Sequence, residues 1–164
     1  MTIAITPSGS KSASNVTAGQ RNGTFDCSGA QIRAHCRHLA TVVSIRGEID
    51  AVNVDRVSEY IRRFILGKNP VVLDMSDVSH FAPAAIALLH MFDESCRAAE
   101  VAWTLVASTA VIDLLDDGGD EGCDEGDAEA MFPITRSVHE ALHNLADAIV
   151  SRRRLVLPLI RKTA

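Results

Sequence analysis

One hundred and sixty-four residues, 47% hydrophobic and 23% charged, suffice for one globular domain with ragged ends. Aromatic residues make up only 4%, so the core must be aliphatic and base stacking on aromatic rings is not a main theme. A net charge of -5 argues against a nucleic-acid glove. That charge is local. Asp113, Asp116, Asp117, Asp120, Glu121, Asp124, Glu125, Asp127 and Glu129 follow one another with no Lys or Arg between them, and without these nine, 12 acidic residues face 16 basic ones.

No run reaches the roughly 18 apolar residues that a membrane span needs, and residues 1–20 hold no apolar signal core, so no membrane partner is expected. Cys27, Cys36, Cys96 and Cys123 lie at gaps of 9, 60 and 27. None forms a C-x-x-C pair, so no structural zinc is expected, and the four are read as cytosolic thiols in a cytoplasmic protein.

Residues 1–24 read as a disordered Ser/Thr-rich tail. Eight of the 24 carry a hydroxyl, and Ile3, Ile5 and Val16 are too few large apolar groups to offset ordering entropy. A sharper reading makes this tail a substrate for a Ser/Thr protein kinase, with Thr2 and Thr6 as regulatory phosphosites. The domain proper is expected over 25–150. Ala30–Ala34 alternates as a half-buried strand should, and Thr41–Ile45 is a β-branched run ended by Gly47. A break at Arg37–Ala40 makes the two a hairpin.

Val54, Val57, Tyr60, Ile61, Phe64 and Ile65 recur at helical spacing, with Asp50 or Asn53 as start cap and Gly67 as stop. Val71-Val72-Leu73 reads as a central strand. A helix over Pro83–Ala98 follows, with Pro83 at its first position. Val101–Val106 is the next strand, and Ser108 caps a short helix over Thr109–Leu115. Residues 116–130 form an acidic, glycine-bearing solvated loop. Met131–Ile134 reads as an edge strand, and Ser137–Glu140 is a capping box that opens the last helix, whose stripe is Val138, Ala141, Leu142, Leu145, Ala148 and Ile149. Residues 151–164 form a basic and apolar extension. Alternating strands and helices predict a single α/β domain, with a mixed sheet of about five strands and about four helices.

Four pieces of this text resemble the STAS domain of bacterial anti-sigma factor antagonists. Val43-Ser44-Ile45-Arg46-Gly47-Glu48-Ile49-Asp50 is similar to the family's second strand and its G-E-[LI]-D turn. Val71-Val72-Leu73-Asp74-Met75-Ser76-Asp77-Val78 is similar to the third strand and the approach to its switch site. Ala102–Val106 and Phe132–Leu142 resemble the fourth strand and the terminal strand and helix. The resemblance implies a non-enzymatic, cofactor-free protein that binds an anti-sigma factor, often a kinase-type one, and so releases a sigma factor. In the family the partner phosphorylates a serine at the start of the second helix, and the charge breaks the complex.

The sequence departs from the family at that place. Against the family's D-S-S-G stand Ala82, Pro83, Ala84 and Ala85, so the phosphoacceptor position is Ala84, which has no hydroxyl. The standard switch is lost. The protein is then a permanently competent antagonist, or control lies in the tail, in a thiol pair of Cys96 and Cys123, or in the acidic loop. The resemblance places partner contacts at Phe81, Ala82, Pro83, Ala84, Ala85 and Ile86, at the preceding loop with Asp77, Ser79 and His80, and at Glu48, Asp50 and Asn53. Phe81 and Ile86 are the natural apolar anchors if exposed. A homodimer stays open, and a STAS-type sensor of a nucleotide or other small anion is the rival from another class.

Two metal readings are weaker. His35, Cys36 and His38 cannot share one strand face. His139-Glu140-Ala141-Leu142-His143 spells H-E-x-x-H, but the apolar stripe claims the core side of that helix and only Asp147 follows as a further carboxylate. No metal is expected.

Overall fold

The computed structural model describes residues 23–117 and 131–156. Thr2 and Thr6, the acidic stretch 118–130 with Cys123, and residues 157–164 lie outside the described residues. Six strands form one sheet: β1 (Thr24–Cys27), β2 (Ala30–Cys36), β3 (Thr41–Ile49), β4 (Val71–Phe81), β5 (Trp103–Ala107) and β6 (Ile134–Thr135). They lie in simple sequence order. β1, β2 and β3 pair antiparallel, and β3 through β6 pair parallel. The helices are α1 (Val54–Arg62), α2 (Ile86–Ala99), α3 (Thr109–Asp117) and α4 (Val138–Val156). The α/β class and the mixed sheet stand as expected, with one strand more.

That extra strand is β1, where the sequence reading ended the tail. A two-residue turn, Ser28-Gly29, joins it to β2 with both residues at positive φ (43° and 105°), the geometry of a tight hairpin. Phe25 points from β1 onto α1 and stacks on Tyr60, ring centroids 4.1 Å apart. Tyr60 meets Phe64 edge-on at 5.6 Å. Phe64 and Ile65 were expected inside α1. The helix instead stops at Arg62, and a 3-10 turn over Ile65–Gly67 ends on Lys68 in the left-handed region (φ 54°).

The two sheet faces are buried differently. On one, Ile32, Val43, Ile45, Leu73, Met75 and Leu105 meet Val57 and Ile61 of α1, Leu88, Leu89 and Phe92 of α2, and Val111 of α3. On the other, Val42, Val72 and Val106 meet Ala141, with Val138, Leu142 and Leu145 of α4 packed beside them. Parallel strands covered on both faces read as apolar runs, as Val71-Val72-Leu73 at the start of β4 does and β5 does apart from Thr104. β2 alternates because α4 does not reach it: Gln31 and Arg33 are exposed on that side while Ala30 and Ile32 are buried. A helix was expected from Pro83. Pro83–Ala85 form a 3-10 turn instead, and α2 begins at Ile86. Ser108 precedes α3, but its backbone carbonyl rather than its hydroxyl accepts from Val111 and Ile112.

Candidate functional site

The parallel strands end on one edge of the sheet, where open α/β sheets place their sites. β3 and β4 run side by side to that edge, Glu48 opposite His80 and Ile49 opposite Phe81. The Ala82 N–H then donates to the Ile49 carbonyl (2.9 Å), tying the 3-10 turn to the end of β3. The three sequence segments assigned to partner contact therefore adjoin: Asp77–His80, Phe81–Ile86, and Glu48–Asn53.

The preceding loop of the sequence reading is strand. β4 runs eleven residues to Phe81, so Ser76, Asp77, Ser79 and His80 are held by ladder pairing with β3 rather than by a loop. Their side chains are exposed, and the Ser79 hydroxyl donates to the Gly47 carbonyl (3.2 Å). Phe81 is not an exposed anchor. It is 4% exposed and joins the main core from the end of β4, and Ala85 joins it from the 3-10 turn. The accessible part of the turn is Pro83 and Ala84, with Ala82 and Ile86 half-buried. This surface is uncharged and small, and it leads into a fourteen-residue helix.

Asn53 is fully buried, so it builds the surface rather than meeting a partner. Its Oδ1 accepts from the Asp50 N–H (3.0 Å), and its Nδ2 donates to the Ser28 carbonyl (3.0 Å) and the Glu48 carbonyl (2.9 Å). One amide thus joins the β1–β2 turn, the end of β3 and the start of α1. Asn53→Ala would leave these buried groups unpaired, and we expect a loss of about 2 kcal/mol in urea unfolding. An unchanged midpoint would contradict this role. Asp50 is half-buried, and its Oδ1 accepts from the N–H groups of Val52 (2.8 Å) and Asn53 (3.1 Å), an Asx turn. Asp50 therefore shapes the turn. Glu48 keeps an exposed side chain.

Sequence reading passed over Val52, which is 79% exposed at the tip of this turn. It lies two residues before the helical period that starts at Val54, so its exposure had no periodic signal. On the other flank, a groove of about 420 Å³ separates the end of β4 from α3, lined by His80, Phe81, Ala110, Leu114, Asp113 and Asp117.

The sequence pattern of the STAS domain matches residues 31–141. The chain belongs to the STAS domain family. It is also 61% identical to "Osmosensory protein A" of Mycobacterium tuberculosis over 155 residues, covering 94% of this chain and 96% of that protein. Its fold is similar to the crystal structure of an anti-sigma factor antagonist from Mycobacterium paratuberculosis, with a TM-score of 0.59 and 20% identity, over 72% of this chain and 95% of that one.

Of the expected thiol pair, Cys123 lies outside the described residues and Cys96 lies within them. Cys96 is fully buried in α2, and burial, with the nearby Asp93 carboxylate, pushes its pKa up to about 12. A buried thiol held neutral is a poor nucleophile. Cys36 is exposed and Cys27 is buried. Iodoacetamide at pH 8 should therefore modify Cys36 and spare Cys27 and Cys96 under native conditions; rapid modification of Cys96 would overturn the assignment.

Among the described residues, no three His, Cys, Asp or Glu side chains stand together as a metal site. His139 and His143 are exposed on α4, and His143 Nδ1 lies 3.0 Å from Asp147 Oδ2. No helix of the described residues is long and apolar enough to cross a membrane.

Proposed function

We propose that this protein is an anti-sigma factor antagonist that binds its anti-sigma factor through the edge built from Glu48, Val52, His80, Ala82, Pro83, Ala84 and Ile86, and so releases a sigma factor. The observation that carries this reading is Ala84, an exposed, neutral residue at the phosphoacceptor position of the family. The partner surface is complete without modification and carries no hydroxyl to modify. Competence is therefore the resting state of this surface, and a kinase-type anti-sigma factor cannot eject the antagonist by phosphorylating it there.

Control then falls to the amino-terminal segment, with Thr2 and Thr6 as phosphosites of a separate Ser/Thr protein kinase. The name of the Mycobacterium tuberculosis relative, "Osmosensory protein A", supports an osmotic stimulus. An anion sensor at the same edge is less well supported, because Asp113 and Asp117 line its groove and would repel an anion. Affinity capture from the cell of origin, with mass spectrometry of partners and phosphosites, tests the reading. We expect an anti-sigma factor that also binds the purified full chain; a capture free of any such factor would overturn it.

A further inference from the structure

Among the described residues, α4 covers one face of β4, β5 and β6 but leaves β1, β2 and the outer half of β3 open. On that open face lies a concavity of about 140 Å³ lined by Thr24, Gln31, Arg33, His35, Ser44 and Arg46. Register explains the grouping. Thr24 stands opposite Arg33, Arg33 opposite Ser44, and Gln31 opposite Arg46, all with the same strand parity. Two guanidinium groups, an imidazole, two hydroxyls and a carboxamide line it, with no apolar side chain.

Three carboxylates border the pocket, and each is engaged. Asp26 Oδ2 accepts from Gln31 Nε2 (3.4 Å). Asp74 accepts from Ser44 Oγ (3.1 Å) and Ser76 Oγ (2.7 Å). Asp77 Oδ2 takes Arg46 Nε at 2.9 Å, which fixes that side chain and leaves its Nη groups as donors. Arg33 Nη2 makes one long bond, to Thr24 Oγ1 (3.4 Å). Fork-shaped donors on neighbouring strands suit an oxyanion such as a phosphate.

We propose that this pocket binds a phosphate monoester, and that its occupant is a phosphorylated hydroxyl of the chain's own amino-terminal segment. Thr24, which lines the pocket, is where that segment enters the sheet. Residues 1–22 contain seven Ser or Thr, two cations (Lys11 and Arg21) and no carboxylate, so unmodified they have no charge complementary to Arg33 and Arg46. A kinase that moves the γ-phosphoryl group of a nucleoside triphosphate onto a hydroxyl, releasing the diphosphate and the hydroxyl proton, supplies that charge. Ser14 and Thr17 lie ten and seven residues before Thr24, within about 35 Å of chain at full extension. Attachment in cis raises the local concentration of the ester.

The inference rests on the reading of this segment as a kinase substrate, and the test separates the two. The full chain is made with phosphoserine genetically encoded at position 14, so no kinase is needed, and the phosphorus-31 resonance is followed against pH. The second ionisation of a free phosphoserine lies near pH 6, and facing guanidinium groups favour the dianion. We expect the midpoint to fall by about one pH unit relative to the isolated phosphopeptide, independent of protein concentration. Arg33→Gln combined with Arg46→Gln should restore the peptide value. Arg33→Gln alone, which leaves the Arg46–Asp77 pair intact, should restore much of it and serves if the double variant does not fold.

A midpoint equal to that of the peptide overturns the pocket as the docking site. A fall that disappears on dilution assigns the ester to a second copy and overturns the cis occupant. Binding of inorganic phosphate to the unmodified chain, without any shift in cis, also overturns it in favour of a free anion. Finding no phosphosite in the segment in cells would instead overturn the kinase reading.

Discussion

Ala84→Asp should weaken binding of the anti-sigma factor by roughly 30-fold or more, equivalent to about 2 kcal/mol, in calorimetric titration of the purified proteins. Ala84 is exposed on the 3-10 turn before α2, so an aspartate there points into solvent in the free protein. A carboxylate near a helix N-terminus is favourable for the free protein, so its thermal midpoint should hold or rise slightly. The cost appears on association, when a charge is desolvated against a partner surface suited to a neutral methyl group. Unchanged affinity would remove this edge from the interface. Ala84→Ser is the companion variant. It should bind as the parent does, and become a substrate only if the partner is a kinase-type anti-sigma factor.

Gly47→Ala should cost about 3 kcal/mol or more of folding stability, the largest loss expected from adding one methyl group to this domain. Gly47 sits at φ 93°, where a side chain is strained, and a Cβ built there would lie 2.2 Å from the Gly29 carbonyl oxygen. Neither backbone can withdraw. β3 pairs with β4 through irregular register at Gly47/Glu48, the Glu48 N–H donates to the Gly29 carbonyl (3.0 Å), and Asn53 clamps both turns. Urea unfolding of the variant should show a lower midpoint with an unchanged slope. Parent-like stability would mean the two glycines do not need to touch. Because the same bulge positions Glu48 and Val52, binding should weaken alongside stability.

The surroundings of Gly47 also explain the G-E-[LI]-D text at Gly47–Asp50. Gly47 lets two backbones touch, the Glu48 carbonyl accepts from Asn53, Ile49 fills the core, and Asp50 folds the turn into α1. The motif is legible as letters, but the Glu48 carbonyl and the partnership with Gly29 are not. Those depend on a hairpin eighteen residues earlier, between Gly29 and Gly47. A signal for that hairpin existed: Ser28-Gly29 is a turn dipeptide, and Phe25 and Cys27 alternate before it. The hydroxyl-rich composition of the segment before it concealed so short a strand.

Composition and order by themselves determined a great deal. Apolar runs at Val71–Leu73 and Val101–Val106, the helical period from Val54, and the capping box at Ser137 carry the α/β class, because buried parallel strands and amphipathic helices must write their burial into periodicity. Ala84 in place of the expected hydroxyl was likewise readable directly, since it is a covalent fact. The net charge of -5 was readable as the property of one stretch rather than of the domain.

Burial of individual polar and apolar groups was decided only by the tertiary structure. Phe81, Ala85 and Asn53 lie beside exposed Pro83, Ala84 and Val52, and nothing local separates the two sets. The extension of β4 to Phe81 turns Phe81 inward, and Asn53 is held inside by two local partners, Asp50 and Glu48, and by the Ser28 carbonyl from the distant β1–β2 turn. The open sheet face with Arg33 and Arg46 has the same origin. Its alternation was visible in β2, but among the described residues it is the limited reach of α4 that leaves that side uncovered. Side-chain period says which residues share a face; which face receives a helix is settled by contacts far apart in the chain.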